Sequence, residues 1–178
     1  MRALLLIDIQ RDYFPGGACP LVGSDAAADA AASVLAGFRA RGEPILHVRH
    51  EWDALDAPYL RPGTPGIEHD PRIAPTGEEP VIVKEYPNAF RDTDLEQRLR
   101  SHGIDSLVIA GMMTSMCVDS TARAAADLGF AVTVVADACA APDLEYAGTK
   151  VRGSAVHAAF LAALSDGYAD VVGAQTLS

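Results

Sequence analysis

Residues 106–130 read SLVIAGMMTSMCVDSTARAAADLGF, and their pattern is the clearest indication of the fold class. It begins with an aliphatic run at 106–110, passes through a short turn, and continues with alanine-rich helical spacing over 115–128. A strand that leads directly into such a helix is typical of a βαβ unit. Because Cys117 lies in the first turn of the predicted helix, the stretch also carries a candidate nucleophile beyond the carboxyl end of a strand.

The same alternation of aliphatic runs and helical stretches continues along the chain. Four of the runs are nearly continuous in apolar residues, as expected for parallel strands covered on both faces. We therefore predict a single three-layer α/β/α domain over residues 1–178, in which the proline-rich segment 51–80 is a long, packed loop. Strands are predicted at 3–8, 44–49, 81–84, 106–110, 131–136 and 169–172, and helices at 24–41, 92–102, 115–128 and 150–165.

The composition excludes several kinds of partner and location. The 178 residues are 49% hydrophobic and 21% charged, which is typical of a globular domain. A formal net charge of −10 argues against nucleic acid and against an anionic membrane surface. No signal peptide or membrane-spanning run is recognisable, and the three cysteines form no C-x-x-C pair, so we expect free thiols in the cytoplasm.

Three chemically active side chains follow predicted strands at their carboxyl ends. Asp8 ends the first strand, Lys84 ends the third, and Cys117 follows the fourth. Each residue alone has an ordinary structural explanation, as a turn cap, a solvated strand end or a packing cysteine. Since the carboxyl ends of parallel strands meet at one edge of the sheet, we expect the three side chains to lie close together.

An acid, a cation and a thiol at one edge predict hydrolysis through a thioester. The start of the helix and the Lys84 ammonium would both stabilise a Cys117 thiolate and lower the pKa of the thiol. Asp8 would take the thiol proton and pass it to a leaving amine, while backbone amides of the turn would form an oxyanion hole. Cys19 and Cys139 have no activating neighbours, and we predict that both are packing residues.

Five blocks of sequence resemble the isochorismatase-like cysteine hydrolases, a family that includes nicotinamidases and N-carbamoylsarcosine amidohydrolase. They are LLLIDIQRDYFPGGA, RPGTPG, VIVKEYPNAF, GMMTSMCVDSTARAAADLGF and VTVVADACA, in the family's order. The resemblance implies a six-stranded parallel sheet of order 3-2-1-4-5-6 and a catalytic triad of Asp8, Lys84 and Cys117. It also implies a cis peptide bond between Met112 and Met113, and an oxyanion hole formed by the Met113 and Cys117 amides.

The chain departs from the nicotinamidase pattern at the metal ligands. The positions of the family's Asp-x-His pair and of its further histidine fall here on His50, Trp52 and Tyr59. Two aromatic rings cannot replace a carboxylate and an imidazole as ligands. We therefore expect no metal and no cofactor, with His50 either a lone ligand or, as we favour, part of the pocket wall. The residues predicted to bind the substrate are Phe14, His50, Trp52, Tyr59, Asn88, Phe90 and Met116.

These features predict a hydrolase that cleaves a C–N bond of a small, largely uncharged amide, carbamoyl or imide compound without a metal. One alternative is a vinyl-ether hydrolase of the isochorismatase kind, with Asp8 as the acid and Arg11, Arg49 or Arg61 binding a dianionic substrate. Metal-dependent nicotinamidase is a second alternative. A flavin-binding module is a third, although the first loop has no phosphate-binding glycine spacing. The resemblance and the alanine-rich helices predict a homodimer or homotetramer.

Overall fold

Six parallel strands form the central sheet of the protein, which is described for residues 1–177 in a computed structural model. Neighbouring strands stand in the order β3-β2-β1-β4-β5-β8. This confirms the expected order 3-2-1-4-5-6, because β8 is the sixth strand of this sheet. The strands are β1 (Arg2–Ile7), β2 (Ile45–His50), β3 (Val81–Lys84), β4 (Ser106–Met112), β5 (Ala131–Ala140) and β8 (Asp170–Val172).

Helices cover both faces of the sheet. Side chains alternate along β1, so that Leu4 and Leu6 face α1 in one core cluster, while Ala3, Leu5 and Ile7 face α2, α3 and α4 in the other. The two clusters are the interiors of a three-layer α/β/α arrangement. The helices are α1 (Ser24–Arg41), α2 (Leu95–Ser101), α3 (Asp119–Asp127) and α4 (Gly153–Ser165).

Three helix starts differ from the sequence prediction, whereas α1 has the predicted bounds. The helix predicted from residue 92 begins at Leu95, because Asp92 has a φ of +56° and cannot belong to a right-handed helix. The helix predicted from residue 115 begins at Asp119, after a π-helical turn over Thr114–Val118. The helix predicted from residue 150 begins at Gly153.

The late start of α4 results from a two-stranded hairpin that the sequence did not predict. Its antiparallel strands are β6 (Leu144–Tyr146) and β7 (Thr149–Val151). Ala147 and Gly148 both have positive φ, which is the geometry of a tight hairpin turn. Because every residue of both strands is exposed, the hairpin has no alternation of apolar and polar residues by which to recognise it.

β1 and β4 lie side by side in the middle of the sheet, and their backbones approach very closely at the carboxyl edge. Ile7 is paired with Gly111. Gly111 has a φ of +146°, and a Cβ atom there would overlap the carbonyl oxygen of Ile7. Only glycine fits at this contact. Asp8 follows immediately with a φ of +50°, which turns the chain out of the sheet.

The long segment between β2 and β3 is irregular and packed, as predicted. It contains two short 3-10 turns, Pro65–Ile67 and Pro71–Ile73, and its buried side chain Leu60 joins the core on the α1 side. The Asp12 carboxylate accepts a hydrogen bond of 2.6 Å from the Leu60 amide. The segment is therefore fastened to the loop after β1. No helix within residues 1–177 has the length and apolar character needed to cross a membrane.

Candidate active site

Asp8, Lys84 and Cys117 meet at the carboxyl edge of the sheet, as the sequence predicts. The Lys84 Nζ lies 2.7 Å from the Asp8 Oδ2 and donates a hydrogen bond of 3.3 Å to the Cys117 Sγ. The side chains of Asp8 and Lys84 are fully buried. Since β2 lies between β1 and β3, the Lys84 side chain passes the end of β2 to reach them.

His50, which is predicted to form part of the pocket wall, belongs to the same cluster, and its contact with Lys84 was not predicted. It is the last residue of β2 and is paired with Lys84 in the sheet. Its Nδ1 lies 2.8 Å from the Lys84 Nζ and 3.9 Å from both the Asp8 Oδ2 and the Cys117 Sγ. The signal was present in the strand order, because a side chain ending β2 must stand between those that end β1 and β3.

The pKa values of His50 and Lys84, the two basic side chains of the cluster, shift in opposite directions. Burial, and then the neighbouring ammonium, lower the pKa of His50 to about 4, so this imidazole is neutral near pH 7. Burial alone would lower the pKa of Lys84, but its contacts with the Asp8 carboxylate and the Cys117 sulfur outweigh burial and hold that pKa above its usual value. At neutral pH the cluster therefore contains an ammonium and a neutral imidazole that accepts a hydrogen bond from it.

The expected lowering of the Cys117 pKa is wrong for the free protein. Burial of the thiol and the nearby Asp8 carboxylate raise its pKa, and the Lys84 ammonium only partly opposes them. The sequence located the activating cation but could not show how completely the sulfur is removed from water. The resting residue is consequently a thiol, which must lose its proton when the reaction begins.

Two buried polar atoms at the site have neither a hydrogen-bond partner nor an ion-pair partner within residues 1–177. They are the Asp8 Oδ1 and the Ser115 Oγ, which belongs to the same π-helical turn as Cys117. Buried polar groups in proteins are normally satisfied. These atoms are therefore available to a substrate or a water molecule. The peptide bond between Met112 and Met113, which precedes this turn, is cis, as the resemblance implies.

Gln10 holds the His50 backbone in place. Its side-chain amide donates to the His50 carbonyl at 2.8 Å and to the Ile67 carbonyl at 2.9 Å, and its Oε1 accepts from the His50 amide at 2.8 Å. Gln10 is fully buried. The sequence analysis did not single it out, although a glutamine two residues after Asp8 in an otherwise apolar run was a usable signal.

Three aromatic side chains of the loops after β1 and β2 pack on one another. The Tyr59 ring lies 6.0 Å from the Tyr13 ring and 5.4 Å from the Trp52 ring, the latter edge to face. Burial raises the pKa of both tyrosines, and the nearby Cys117 adds to each shift. Trp52 is 38% exposed. Of the residues predicted to bind substrate, Tyr59 and Trp52 thus pack directly on each other.

The other predicted substrate-binding residues have different surroundings. The Asn88 Oδ1 accepts a hydrogen bond from the Phe90 amide at 2.9 Å, which stabilises the local turn. The Phe90 ring stacks on Phe130 and packs against the core. Met116, adjacent to Cys117, is 48% exposed. Phe14 is buried and has the Arg72 guanidinium over its ring.

A cavity of about 740 Å³ lies between the loop after β1 and the segment that joins β2 to β3. Phe14 and Tyr59 form part of its wall, and Arg11 and Arg61 line it as well. Asp8, His50, Lys84 and Cys117 are not among the residues that line it. The Asp12 carboxylate, which accepts a hydrogen bond from the Leu60 amide, also lines it.

The metal site implied for nicotinamidases does not fit this chain. Trp52 and Tyr59 stand at two of its three positions and pack on each other as rings. The side chains that could offer three donor atoms to a metal are instead Asp8, His50 and Cys117, whose ligand atoms lie within 4.8 Å of one another. The Lys84 ammonium, however, contacts all three.

Comparisons with known proteins agree with this geometry. A family model described as "Isochorismatase domain" matches residues 2–175. A putative isochorismatase hydrolase from Oleispira antarctica is 49% identical, with a TM-score of 0.95 over 99% of this chain and 95% of that one. The uncharacterized isochorismatase family protein YddQ of Bacillus subtilis is 44% identical over 95% of this chain and 94% of its own. Escherichia coli nicotinamidase is 30% identical over 78% of this chain and 82% of its own.

Proposed function

Because the chain belongs to the isochorismatase family of hydrolases, we propose that it cleaves a C–N bond of a small amide, carbamoyl or imide compound through a thioester at Cys117. The observation that carries the proposal is the contact of one buried ammonium, that of Lys84, with both the Asp8 carboxylate and the Cys117 sulfur. The relative named nicotinamidase supports the choice of a C–N bond.

The first half of the reaction forms the thioester. Asp8 takes the proton of Cys117 while the sulfur bonds to the carbonyl carbon, and the amides of Met113 and Cys117 stabilise the charge on the carbonyl oxygen. When the C–N bond breaks, Asp8 passes the proton to the departing nitrogen. The Lys84 ammonium stabilises the negative sulfur during the attack, which compensates for the raised pKa of the thiol.

The second half hydrolyses the thioester. A water molecule attacks the acyl carbon, and Asp8 takes a proton from it. The C–S bond breaks, the acid leaves, and the proton returns to the Cys117 sulfur. The Asp8 Oδ1, which has no partner in the described residues 1–177, is free to accept the proton in both halves.

Substrate contacts are proposed for the aromatic residues near the thiol and the cavity. Tyr59, Trp52 and Phe14 would hold an apolar or conjugated group, and exposed Met116 would border the entrance. The Ser115 hydroxyl would bind a polar group of the substrate, because it is buried and lacks a partner in residues 1–177.

Vinyl-ether hydrolysis is the second candidate, since Arg11 and Arg61 line the cavity and could bind a dicarboxylate. Arg49 suits this role less well, because its guanidinium is paired with Glu51 at 2.6 Å. In this reaction Asp8 would protonate the enol ether, and Cys117 would form no bond to the substrate. The two candidates therefore differ in their dependence on the thiol.

The test is a panel of carboxamides, carbamoyl compounds, cyclic imides and isochorismate, incubated with the wild type, Cys117→Ala and the control Cys19→Ser. We expect turnover of at least one C–N compound, an acyl adduct on Cys117 by intact mass, and no turnover by Cys117→Ala. Cys19→Ser should behave as the wild type. Full amide turnover by Cys117→Ala would overturn the proposal, and isochorismate turnover that survives this substitution would favour the second candidate.

A homo-oligomeric state is also proposed, supported by the outer face of α4. Between Gly153 and Ser165 this helix carries no acidic residue, lysine or arginine. The neighbouring hairpin adds Tyr146, which is 85% exposed. Light scattering after chromatography should show at least a dimer, and Ala159→Glu should weaken it. The exposed residues of the face are Ser154, Ala155, Ala158, Ala159, Ala162 and Ala163.

Two predictions about the whole molecule stay proposals as well. A single domain over residues 1–178 is supported by the one central sheet on which both core clusters pack. A cytoplasmic location is supported by the free thiols of Cys19, Cys117 and Cys139. Limited proteolysis tests the prediction of a single domain, and we expect it to give no stable fragment.

A further inference from the structure

The Lys84 ammonium lies among three chemically different atoms. Its Nζ is 2.7 Å from the Asp8 Oδ2, 2.8 Å from the His50 Nδ1 and 3.3 Å from the Cys117 Sγ. An ammonium has three N–H donors and accepts no hydrogen bond, so these contacts use its whole capacity. The His50 Nδ1 must carry a lone pair towards Lys84, because a protonated Nδ1 would place a second donor against the ammonium.

The three atoms around the ammonium form a ligand set for zinc. Carboxylate oxygen, imidazole nitrogen and thiolate sulfur are the donors that Zn²⁺ binds in proteins. The His50 Nδ1 is 3.9 Å from each of the other two, whereas ligand atoms of a tetrahedral zinc ion lie about 3.5 Å apart, given bond lengths of about 2.0–2.3 Å. The Asp8 oxygen and the Cys117 sulfur lie within 4.8 Å of each other, so a contraction of at most about 1 Å would bring the set onto a metal ion.

We propose that the Lys84 ammonium is the resident cation of a zinc-type site, and that Asp8, His50 and Cys117 bind Zn²⁺ once this ammonium is removed. The ammonium and a divalent ion cannot share the space between these atoms, because both are positive and both need the same lone pairs. Lys84 therefore excludes the metal. Of the three positions of the nicotinamidase pattern, this site shares only His50, and Asp8 and Cys117 take the place of ligands at Trp52 and Tyr59.

His50 is then a positioning residue for the Lys84 ammonium. Asp8 and Cys117 supply two acceptors for the ammonium, and the neutral imidazole of His50 supplies the third. Gln10 in turn holds the His50 backbone from both sides. Without His50 the Lys84 ammonium would keep its contacts with Asp8 and Cys117, but one of its buried N–H groups would lack an acceptor.

Zinc binding by purified variants tests the proposal without any substrate. The wild type, Lys84→Met, the double variant Lys84→Met/His50→Ala and the control Lys150→Met are dialysed against micromolar ZnCl₂, and bound zinc is measured by mass spectrometry. Lys150, on the exposed strand β7, is the chain's other lysine. We expect about one zinc per Lys84→Met chain, bound at least 100-fold more tightly than by the wild type or Lys150→Met, and loss of this site in the double variant.

Cobalt identifies the ligands. Co²⁺ bound to Lys84→Met should give a thiolate-to-metal absorption band in the near ultraviolet, which a further Cys117→Ser substitution removes. Lys84→Ala is prepared in parallel, and circular dichroism shows which variants are folded. A folded Lys84 variant that binds no more zinc than the wild type would overturn the proposal.

The wild type provides a test even where neither Lys84 variant folds. Zinc at 10-fold excess should leave the alkylation rate of Cys117 unchanged, since the ammonium occupies the site. Protection of Cys117 by zinc in the wild type, lost in His50→Ala, would contradict the exclusion of the metal. Because these measurements need no turnover, their failure would leave the proposed hydrolase activity standing, and the failure of that activity would leave them standing.

Discussion

β2 carries two buried histidines, His47 and His50, and each belongs to a cluster of one acid and one base. His47 donates from its Nε2 to Glu79 at 2.9 Å, while His50 accepts at its Nδ1 from Lys84. Burial is the main cause that lowers the pKa of each imidazole to about 4. The two clusters therefore contain similar groups in the same protonation state.

The difference between the clusters is how fully the carboxylate is satisfied. Both Glu79 oxygens accept from Arg39, at 2.8 and 2.7 Å, and Glu79 accepts further from His47 and from the Thr76 amide. The Asp8 Oδ1, in contrast, has no partner within residues 1–177 and lies near a thiol. A saturated carboxylate stabilises the fold, whereas an unsaturated one beside a nucleophile can transfer a proton.

The largest expected effect is the loss of turnover on removal of the thiol. Cys117→Ala should lower kcat/KM for the C–N substrate by at least about 10³-fold, because no acyl-enzyme can form. His47→Gln, in the other cluster, should change kcat/KM by less than about 3-fold. Steady-state kinetics of the two variants measure this, and comparable losses in both would remove the functional distinction between the clusters.

Replacing each of the two acids, Asp8 and Glu79, by its uncharged amide should distinguish a role in catalysis from a role in stability. Asp8→Asn leaves the Lys84 ammonium buried without its counter-charge, so we expect about 3 kcal/mol of lost stability together with a loss of turnover. Glu79→Gln should cost about 2 kcal/mol, because Arg39 is partly exposed and can be solvated, and should leave kcat unchanged. Urea unfolding and kinetics provide both numbers. A Glu79→Gln variant with impaired kcat would show that the saturated cluster also serves catalysis.

Acid should destabilise the protein in two stages, of which the second belongs to the Glu79 cluster. As the pH falls below 6.5, the unfolded chain binds protons that four histidines resist in the folded state, because burial lowers the pKa of each; they are His47, His50, His69 and His157. Below pH 4.5, Glu79 adds a loss of about 2 kcal/mol, since Arg39 holds its folded pKa at about 2.

Thermal melts between pH 8 and pH 3 check these stages. The Tm should be nearly constant above pH 7 and should fall continuously below pH 6.5. In Glu79→Gln the fall in Tm below pH 4.5 should be absent, and the fall between pH 6.5 and pH 4.5 should remain. A Tm that rises on acidification would contradict the direction of the histidine shifts.

The smallest expected effect concerns thiol reactivity. Because burial and Asp8 raise the pKa of Cys117, alkylation by iodoacetamide should accelerate about tenfold per pH unit between pH 7 and pH 9. Intact mass spectrometry in a Cys19→Ser background follows the modification. A rate that reaches a plateau below pH 8 would mean that the Lys84 ammonium and the turn outweigh burial, as the sequence alone suggested.

The features predicted correctly from the sequence are those that depend on the local hydrophobic pattern and on which residues follow the strands. The parallel strands, the bounds of α1 and the meeting of Asp8, Lys84 and Cys117 follow from periodicity and topology, together with the family resemblance. The hairpin at residues 144–151 escaped prediction because exposed three-residue strands leave no hydrophobic pattern. The rise in the Cys117 pKa escaped because it depends on burial by segments distant in the chain.

The contact between Gly111 and the Ile7 carbonyl has a consequence for how this site tolerates change. It joins β4, which leads to the thiol, directly to β1, which leads to the carboxylate, with no side chain between them. The spacing of the two strands at the edge is thus fixed by main-chain atoms and by the absence of a side chain at residue 111. We expect core substitutions distant from the site to change stability while the acid and the nucleophile keep their separation, whereas any side chain at residue 111 would force the two strands apart.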